Sequence, residues 1–163
     1  MIKYVPRMTS VVLEEIPDRL TLAVEISNCR GTCIGCHSPF LREDVGEELT
    51  PEAVDALFAS NFGVDCFLFL GEGKDPQALL ALARHIRSHY DVALALYSGR
   101  EQVEDALWAA FDYVKLGPYR PECGPLNNPA TNQRLYRVRG GGAEREDITA
   151  RFWHRGLEGA PKA

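Results

Sequence analysis

At 163 residues and 18.1 kDa the chain is sized for one domain that can bury a core without disulfide staples. Its 45% hydrophobic and 25% charged composition, with a net charge of -5, is that of a soluble globular protein and offers no basic patch for nucleic acid. The opening MIKYVPRMTSVVLEEIPD places charge within every apolar run and no window approaches a membrane span, so we expect a cytoplasmic protein whose five cysteines stay reduced.

Two β-rich runs, Ser10 to Glu15 and Arg19 to Ser27, flank the Pro17-Asp18 turn signal and predict a hairpin or strand pair. The loop NCRGTCIGCHSPF, Asn28 to Phe40, follows directly, which puts its thiols at a strand end. Thr50-Pro51 starts a helix carrying Val54, Leu57 and Phe58. Val64 to Leu70 reads as a buried strand, Asp75-Pro76 starts a helix with Leu79, Leu82, Ala83 and Ile86 on one side, and Val92 to Tyr97 is the next strand. Ser98 to Glu101 matches a capping box for a helix through Val103, Leu107 and Phe111, and Asp112 to Leu116 is the last strand of the series. This alternation predicts an α/β fold with a mainly parallel sheet. The chain is shorter than the roughly 250 residues of a complete eight-fold barrel, which leaves a partial (βα) barrel or an open sheet. Beyond Gly117, a Pro- and Asn-rich segment should form an ordered loop over the sheet's active edge, RGGGAERED should lead into a mobile tail (139–163), and DITARFW should dock again. The whole of 1–163 reads as a single domain.

Within the loop, Cys29, Cys33 and Cys36 form C-x3-C-x2-C, and Cys36-His37 also completes C-I-G-C-H, the attachment signal for haem c. The haem reading strands Cys29 and conflicts with a reducing compartment. A redox C-x-x-C from Cys33 and Cys36 strands it too. Structural zinc on the three thiolates and His37 is chemically sound, although His37 adjoins Cys36 where zinc ligands are usually separated. Three thiolates holding a four-iron cluster would leave one iron open to a further ligand, and Gly31 and Gly35 would let the backbone turn closely around it. Spacing alone leaves the zinc and iron-sulfur readings open.

The C-x3-C-x2-C motif followed by His37 resembles the signature of radical S-adenosylmethionine (SAM) enzymes. EEIPDRLTLAVEISNC, YSGR, DYVKLGPY and TNQRLYRV look like the corresponding segments of the small subgroup that activates anaerobic ribonucleoside-triphosphate reductase, a likeness running from about Val11 to Val138. The resemblance implies a radical SAM partial barrel whose Cys29, Cys33 and Cys36 bind a [4Fe-4S] cluster, with S-adenosyl-L-methionine on the unique iron and Gly35 and His37 beside it. It implies an oxidoreductase that cleaves the sulfonium with one electron from a low-potential donor and places a glycyl radical on the reductase. Members carry a Gly-Gly-Glu-Pro-like turn for the methionine amino end. Here it is Gly71-Glu72-Gly73, and Gly35 stands where many members have an aromatic residue. Activation of another glycyl radical enzyme, another small radical SAM activity, or a non-catalytic zinc-stabilised binding module are the alternatives.

Ser98, at a strand end, is a candidate ribose contact as well as a cap. Lys115 lies in an apolar strand and needs a partner, either a cofactor carboxylate or Asp112. Cys66 reads as a buried apolar side chain and Cys123 as a loop thiol. His85 and His89 are spaced for a metal but read as a solvated basic helix face. Asn132, Gln133 and Arg134 are assigned to loop order or partner contact.

Overall fold

The computed structural model describes residues 1–29 and 39–153. A seven-stranded sheet organises the chain in the order β2-β3-β5-β6-β7-β8-β9, beside a two-stranded sheet of β1 (Lys3–Tyr4) and β4 (Glu47–Glu48). β2 (Ser10–Val12) pairs antiparallel with β3 (Thr21–Glu25) around the Pro17-Asp18 turn, as the turn signal predicts. β3, β5 (Cys66–Leu70), β6 (Ala93–Tyr97) and β7 (Tyr113–Leu116) are mutually parallel and adjacent in chain order. Parallel pairing is confined to these central strands. β7 meets β8 (Arg134–Arg139) antiparallel, and β8 meets β9 (Glu144–Asp147) in the same way, leaving β2 and β9 as the two edges.

α1 (Pro51–Ser60), α2 (Pro76–His89) and α3 (Asp105–Ala110) fill the three parallel crossovers. Side chains alternate across a strand. Leu22, Val24, Phe67, Phe69, Leu94, Leu96 and Val114 accordingly face one way, into a core shared with Val54 of α1, Leu79, Leu82, Ala83 and Ile86 of α2, and Leu107 of α3. The intervening residues Ala23, Cys66, Leu68, Ala95 and Tyr113 face a second core, closed by Ile16, Leu135, Ile148 and Phe152. All three helices therefore cover one face, and the other is covered by loop and C-terminal segments. No helix among the described residues is long and apolar enough to cross a membrane.

The predicted starts of α1 and α2 are realised. Thr50 Oγ1 accepts from the Ala53 amide at 3.0 Å and Asp75 Oδ1 from the Ala78 amide at 3.1 Å, each with Pro at the first helical position. Thr50→Ala should lower stability by about 1 kcal/mol, read as a drop in the urea midpoint at unchanged m-value. An unchanged midpoint would show that this bond adds nothing.

Three expectations need correction. The segment expected to be loop from Pro118 to Val138 ends as strand, because Arg134 to Val138 belong to β8, which pairs with β7. The capping box at Ser98 does not form: α3 starts at Asp105 with Glu104 as its N-cap, and Ser98 and Glu101 find other partners described below. RGGGAERED does not simply lead away from the fold. A 3-10 turn at Gly140–Gly142 joins β8 to β9 in a hairpin. β9 is exposed at all four residues, so the alternation that marks a half-buried strand is missing and its extended form depends on the β8 ladder. DITARFW docks as expected, burying Ile148 and Phe152. Residues 154–163 of the expected tail lie outside the described residues.

Candidate functional site

Ligands of parallel α/β sheets bind outside the carboxyl ends of the strands. Here that rim is continuous, because the ladder runs on past the strands: Ile26 N–H donates to Leu70 O (3.1 Å), Gly71 N–H to Tyr97 O (3.0 Å), and Ser98 N–H to Lys115 O (2.8 Å). Cys29 leaves this rim from β3. Asn28 turns the chain with φ of 61°, a left-handed conformation that Asn tolerates, and its amide donates to Glu43 O at 3.2 Å. Cys29 N–H donates to Leu41 O at 2.7 Å, which ties the outgoing limb of the cysteine loop to its returning limb. Asn28 Nδ2 donates to Asp44 Oδ1 at 3.1 Å, and Asp44 also meets Lys3 Nζ at 3.0 Å. Those two contacts hold the Asp44 carboxyl below its usual range. Cys29 itself is half-buried and in no disulfide. Cys33, Gly35, Cys36 and His37 lie outside the described residues. Among the described residues no three His, Cys, Asp or Glu side chains gather into a metal-binding group.

The Gly71-Glu72-Gly73 turn sits at the end of β5. Gly71 has φ of 117° and Gly73 φ of 67°, and a Cβ on Gly73 would come within 3.0 Å of Ile2 Cδ1, so both positions favour glycine. Glu72, with its side chain only 18% exposed, accepts from the Ser98 hydroxyl and takes a fork from Arg100, Nη2 at 2.6 Å and Nε at 3.0 Å. Arg100 also grips Glu104 at 2.7 and 2.9 Å. This fork draws the Glu104 carboxyl down to about 2, and Glu104 and Glu72 together push the guanidinium further up. The expected Ser98–Glu101 capping box is thus replaced by a cluster of Glu72, Ser98 and Arg100, with the Arg100 amide donating to Ser98 Oγ at 3.1 Å and Glu101 turned to Arg120 at 2.8 Å. The structure brings Ser98 and Glu72 together, and the Ser98 hydroxyl proton is already committed.

Lys115 is 7% exposed, on the face away from the helices. Its Nζ donates to Gln133 Oε1 at 2.8 Å and Gly117 O at 3.2 Å, and lies 5.2 Å from the Tyr97 ring centroid. Asp112 is not its partner. Three residues apart on an extended chain places the two on opposite faces, and Asp112 instead accepts from Arg87 and from the Leu94 amide, each at 2.9 Å. Register sets Glu25, Leu70, Tyr97 and Lys115 side by side across four strands. Burial pushes the carboxyls of Glu15 and Glu25 up, with Glu14 adding to the first and Glu15 to the second, while Lys115 pulls Glu15 back. The Tyr97 hydroxyl donates to the Glu15 carbonyl, and burial raises its phenol well above the ordinary value.

A carboxyl with a raised folded pKa holds its proton more tightly when folded, so ionising it costs stability as pH rises above the unfolded value of about 4.5. Glu25→Gln should therefore raise the melting temperature at pH 7 to 8 and lose that advantage as pH falls below about 4. Equal gains at both pH values would contradict the burial of this carboxyl.

Glu15, Glu25 and Tyr97 belong to this face and escape sequence reading by motif. The signal available was the place of Glu25 and Tyr97 as the last residues of β3 and β6, with Glu15 on the turn before β3. Of the other candidates, Gln133 holds Lys115. Asn132 Nδ2 donates to Pro118 O at 2.9 Å while its buried Oδ1 has no partner among the described residues, and Arg134 lies 3.7 Å from Asp147. Cys66 is fully buried, which pushes its thiol up to about 12, in keeping with an apolar role, and Cys123 is half-buried in its loop. Arg84, Arg87 and His89 are exposed on the expected solvated face, whereas His85 is half-buried: its Nε2 lies 2.8 Å from Asp55, which the Tyr90 hydroxyl also reaches at 2.7 Å, joining α2 to α1. No family model, curated protein or solved structure matches the chain.

Proposed function

We propose that this chain is a radical SAM oxidoreductase that places a glycyl radical on anaerobic ribonucleoside-triphosphate reductase, working in the cytoplasm with a low-potential electron donor. Its parallel core would then be a partial barrel, β3, β5, β6 and β7 forming the inner wall and the uncapped side of the rim admitting the partner. The observation that carries this reading is Cys29, first thiol of C-x3-C-x2-C, standing at the carboxyl end of the first parallel strand, with the two limbs of its loop joined at their base.

Cys29, Cys33 and Cys36 would hold a [4Fe-4S] cluster, their soft thiolate donors suiting iron-sulfur binding. With SAM beside it the cluster would supply one-electron chemistry, the electron coming from the low-potential donor, methionine leaving, and a hydrogen atom being taken from a partner glycine. The work of the chain is to bind, orient and exclude water. Gly35 and His37 are assigned beside the cofactor, and the Gly71 to Gly73 backbone to its amino end. Lys115 is the cation assigned to its carboxylate, held in place by Gln133 and the Gly117 carbonyl. Asn132 Oδ1, a buried acceptor with no partner among the described residues, is assigned to a donor from a ligand. Ser98 is tied to Glu72, so a ribose hydroxyl there would meet a Ser-Glu pair and not a lone hydroxyl.

The test is anaerobic purification and reconstitution followed by incubation with reductant, SAM and the reductase. A brown protein with about four irons per chain, and a glycyl radical signal in electron spin resonance, are the expected results. A colourless, zinc-loaded protein would overturn the reading in favour of a binding module. Cleavage of SAM with no radical on the reductase would redirect it to another glycyl radical enzyme or another small radical SAM reaction.

A further inference from the structure

We propose that Arg100 is a positioning residue for the ligand rim, holding the turns after β5, β6 and β7 in the one arrangement that SAM meets. The proposal rests on the radical SAM reading above and adds to it a residue that acts without touching the ligand. Three turns carry the groups assigned to SAM, and Arg100 is bonded to each of them. Its guanidinium forks onto Glu72 of the Gly71 to Gly73 turn, Nη2 at 2.6 Å and Nε at 3.0 Å. Its amide donates to Ser98 Oγ at 3.1 Å. Its carbonyl accepts from the Gly117 amide at 2.7 Å, and the Gly117 carbonyl in turn accepts from Lys115 Nζ at 3.2 Å.

The turn after β5 most needs such a tie. Glycine loses more conformational freedom on ordering than any other residue, and Glu72 stands between two glycines at positive φ. Its side chain is thus the one handle within Gly71 to Gly73 by which the rest of the fold can hold the turn. An exposed ion pair usually contributes little. This one is a two-bond fork onto a carboxylate side chain only 18% exposed, and Glu104 holds the other edge of the same guanidinium at 2.7 and 2.9 Å. A turn fixed before the ligand arrives does not have to be ordered by binding, so the staple acts on affinity and not on the chemical step.

Equilibrium dialysis of SAM against the full chain, reconstituted anaerobically, reads the effect. Arg100→Ala should keep its iron and raise the Kd for SAM about tenfold, while cleavage at saturating SAM stays within about twofold of the parent. Arg100→Lys, which cannot form the fork, should fall between parent and alanine variant, and it carries the test if Arg100→Ala lowers the melting temperature. Glu104→Ala breaks only the link to α3 and should leave the Kd within about twofold, which separates a general loss of stability from the effect on the ligand. Hydrogen exchange of the Gly71 and Gly117 amides, measured without SAM, should quicken in Arg100→Ala and hold in Glu104→Ala. An equal loss of affinity in Glu104→Ala, or unchanged exchange at both amides in Arg100→Ala, would overturn the proposal. Iron-loaded parent protein that binds no SAM would overturn the functional reading and this proposal with it, whereas unchanged affinity in Arg100→Ala beside a parent that binds SAM would overturn this proposal alone.

Discussion

Serine in place of Cys29, Cys33 or Cys36 is expected to remove bound iron and SAM cleavage together, by more than about a hundredfold, since loss of even an outer-shell partner commonly costs 10–100-fold in metal affinity or activity. The thiol is what each variant tests. At Cys29 the bond that closes the loop is made by the backbone amide to Leu41 O, so Cys29→Ser keeps that clamp and loses only sulfur. Cys123→Ser and Cys66→Ala serve as controls. Cys123 lies in a loop outside the motif, and burial keeps the Cys66 thiol protonated, its value at about 12, so neither is expected to bind metal. Iron and sulfide content, with chromatography of the cleavage products under strict anaerobiosis, make the comparison. Full iron and full cleavage in any one of the three serine variants would end the proposed assignment.

Phe69→Ala should cost about 3–5 kcal/mol, measured by urea unfolding, and so claim a large part of the stability of a domain this size. Phe69 is fully buried in the helix-side core, 4.9 Å from the Phe67 ring and 5.9 Å from the Phe111 ring, the latter edge-on. Truncation removes these contacts and leaves a cavity that a close-packed interior closes only in part. The site is also exposed to the change, because Phe69 is two residues before Gly71 on the same strand. Phe62 supplies the contrast. At 99% exposure it has no packing to lose, and Phe62→Ala should stay within about 0.5 kcal/mol. Similar losses from the two variants would contradict the core described above.

The helix starts were legible because they are local events. Thr50-Pro51 and Asp75-Pro76 carry both the side-chain acceptor and the residue preset for the first turn, and no distant contact is required. The buried strands were legible as apolar runs too short for helices. Ser98-Gly-Arg-Glu101 carried an equally good local signal and failed, because Glu72 from the next strand over competes for the Ser98 hydroxyl and for Arg100. The pair joins residues 26 apart in sequence, a distance that no capping motif can report.

The sequence by itself determined the α/β alternation, the caps and apolar faces of α1 and α2 and the spacing of three thiols on one loop, all of which follow from neighbours within about one helical turn or one strand. Only the tertiary structure decided that β8 and β9 extend the sheet, that Lys115 turns to Gln133 and not to Asp112, and that Glu15, Glu25 and Tyr97 gather on the face opposite the helices. Those outcomes depend on strand register, which fixes the face of every side chain at once and is settled between strands far apart in the chain.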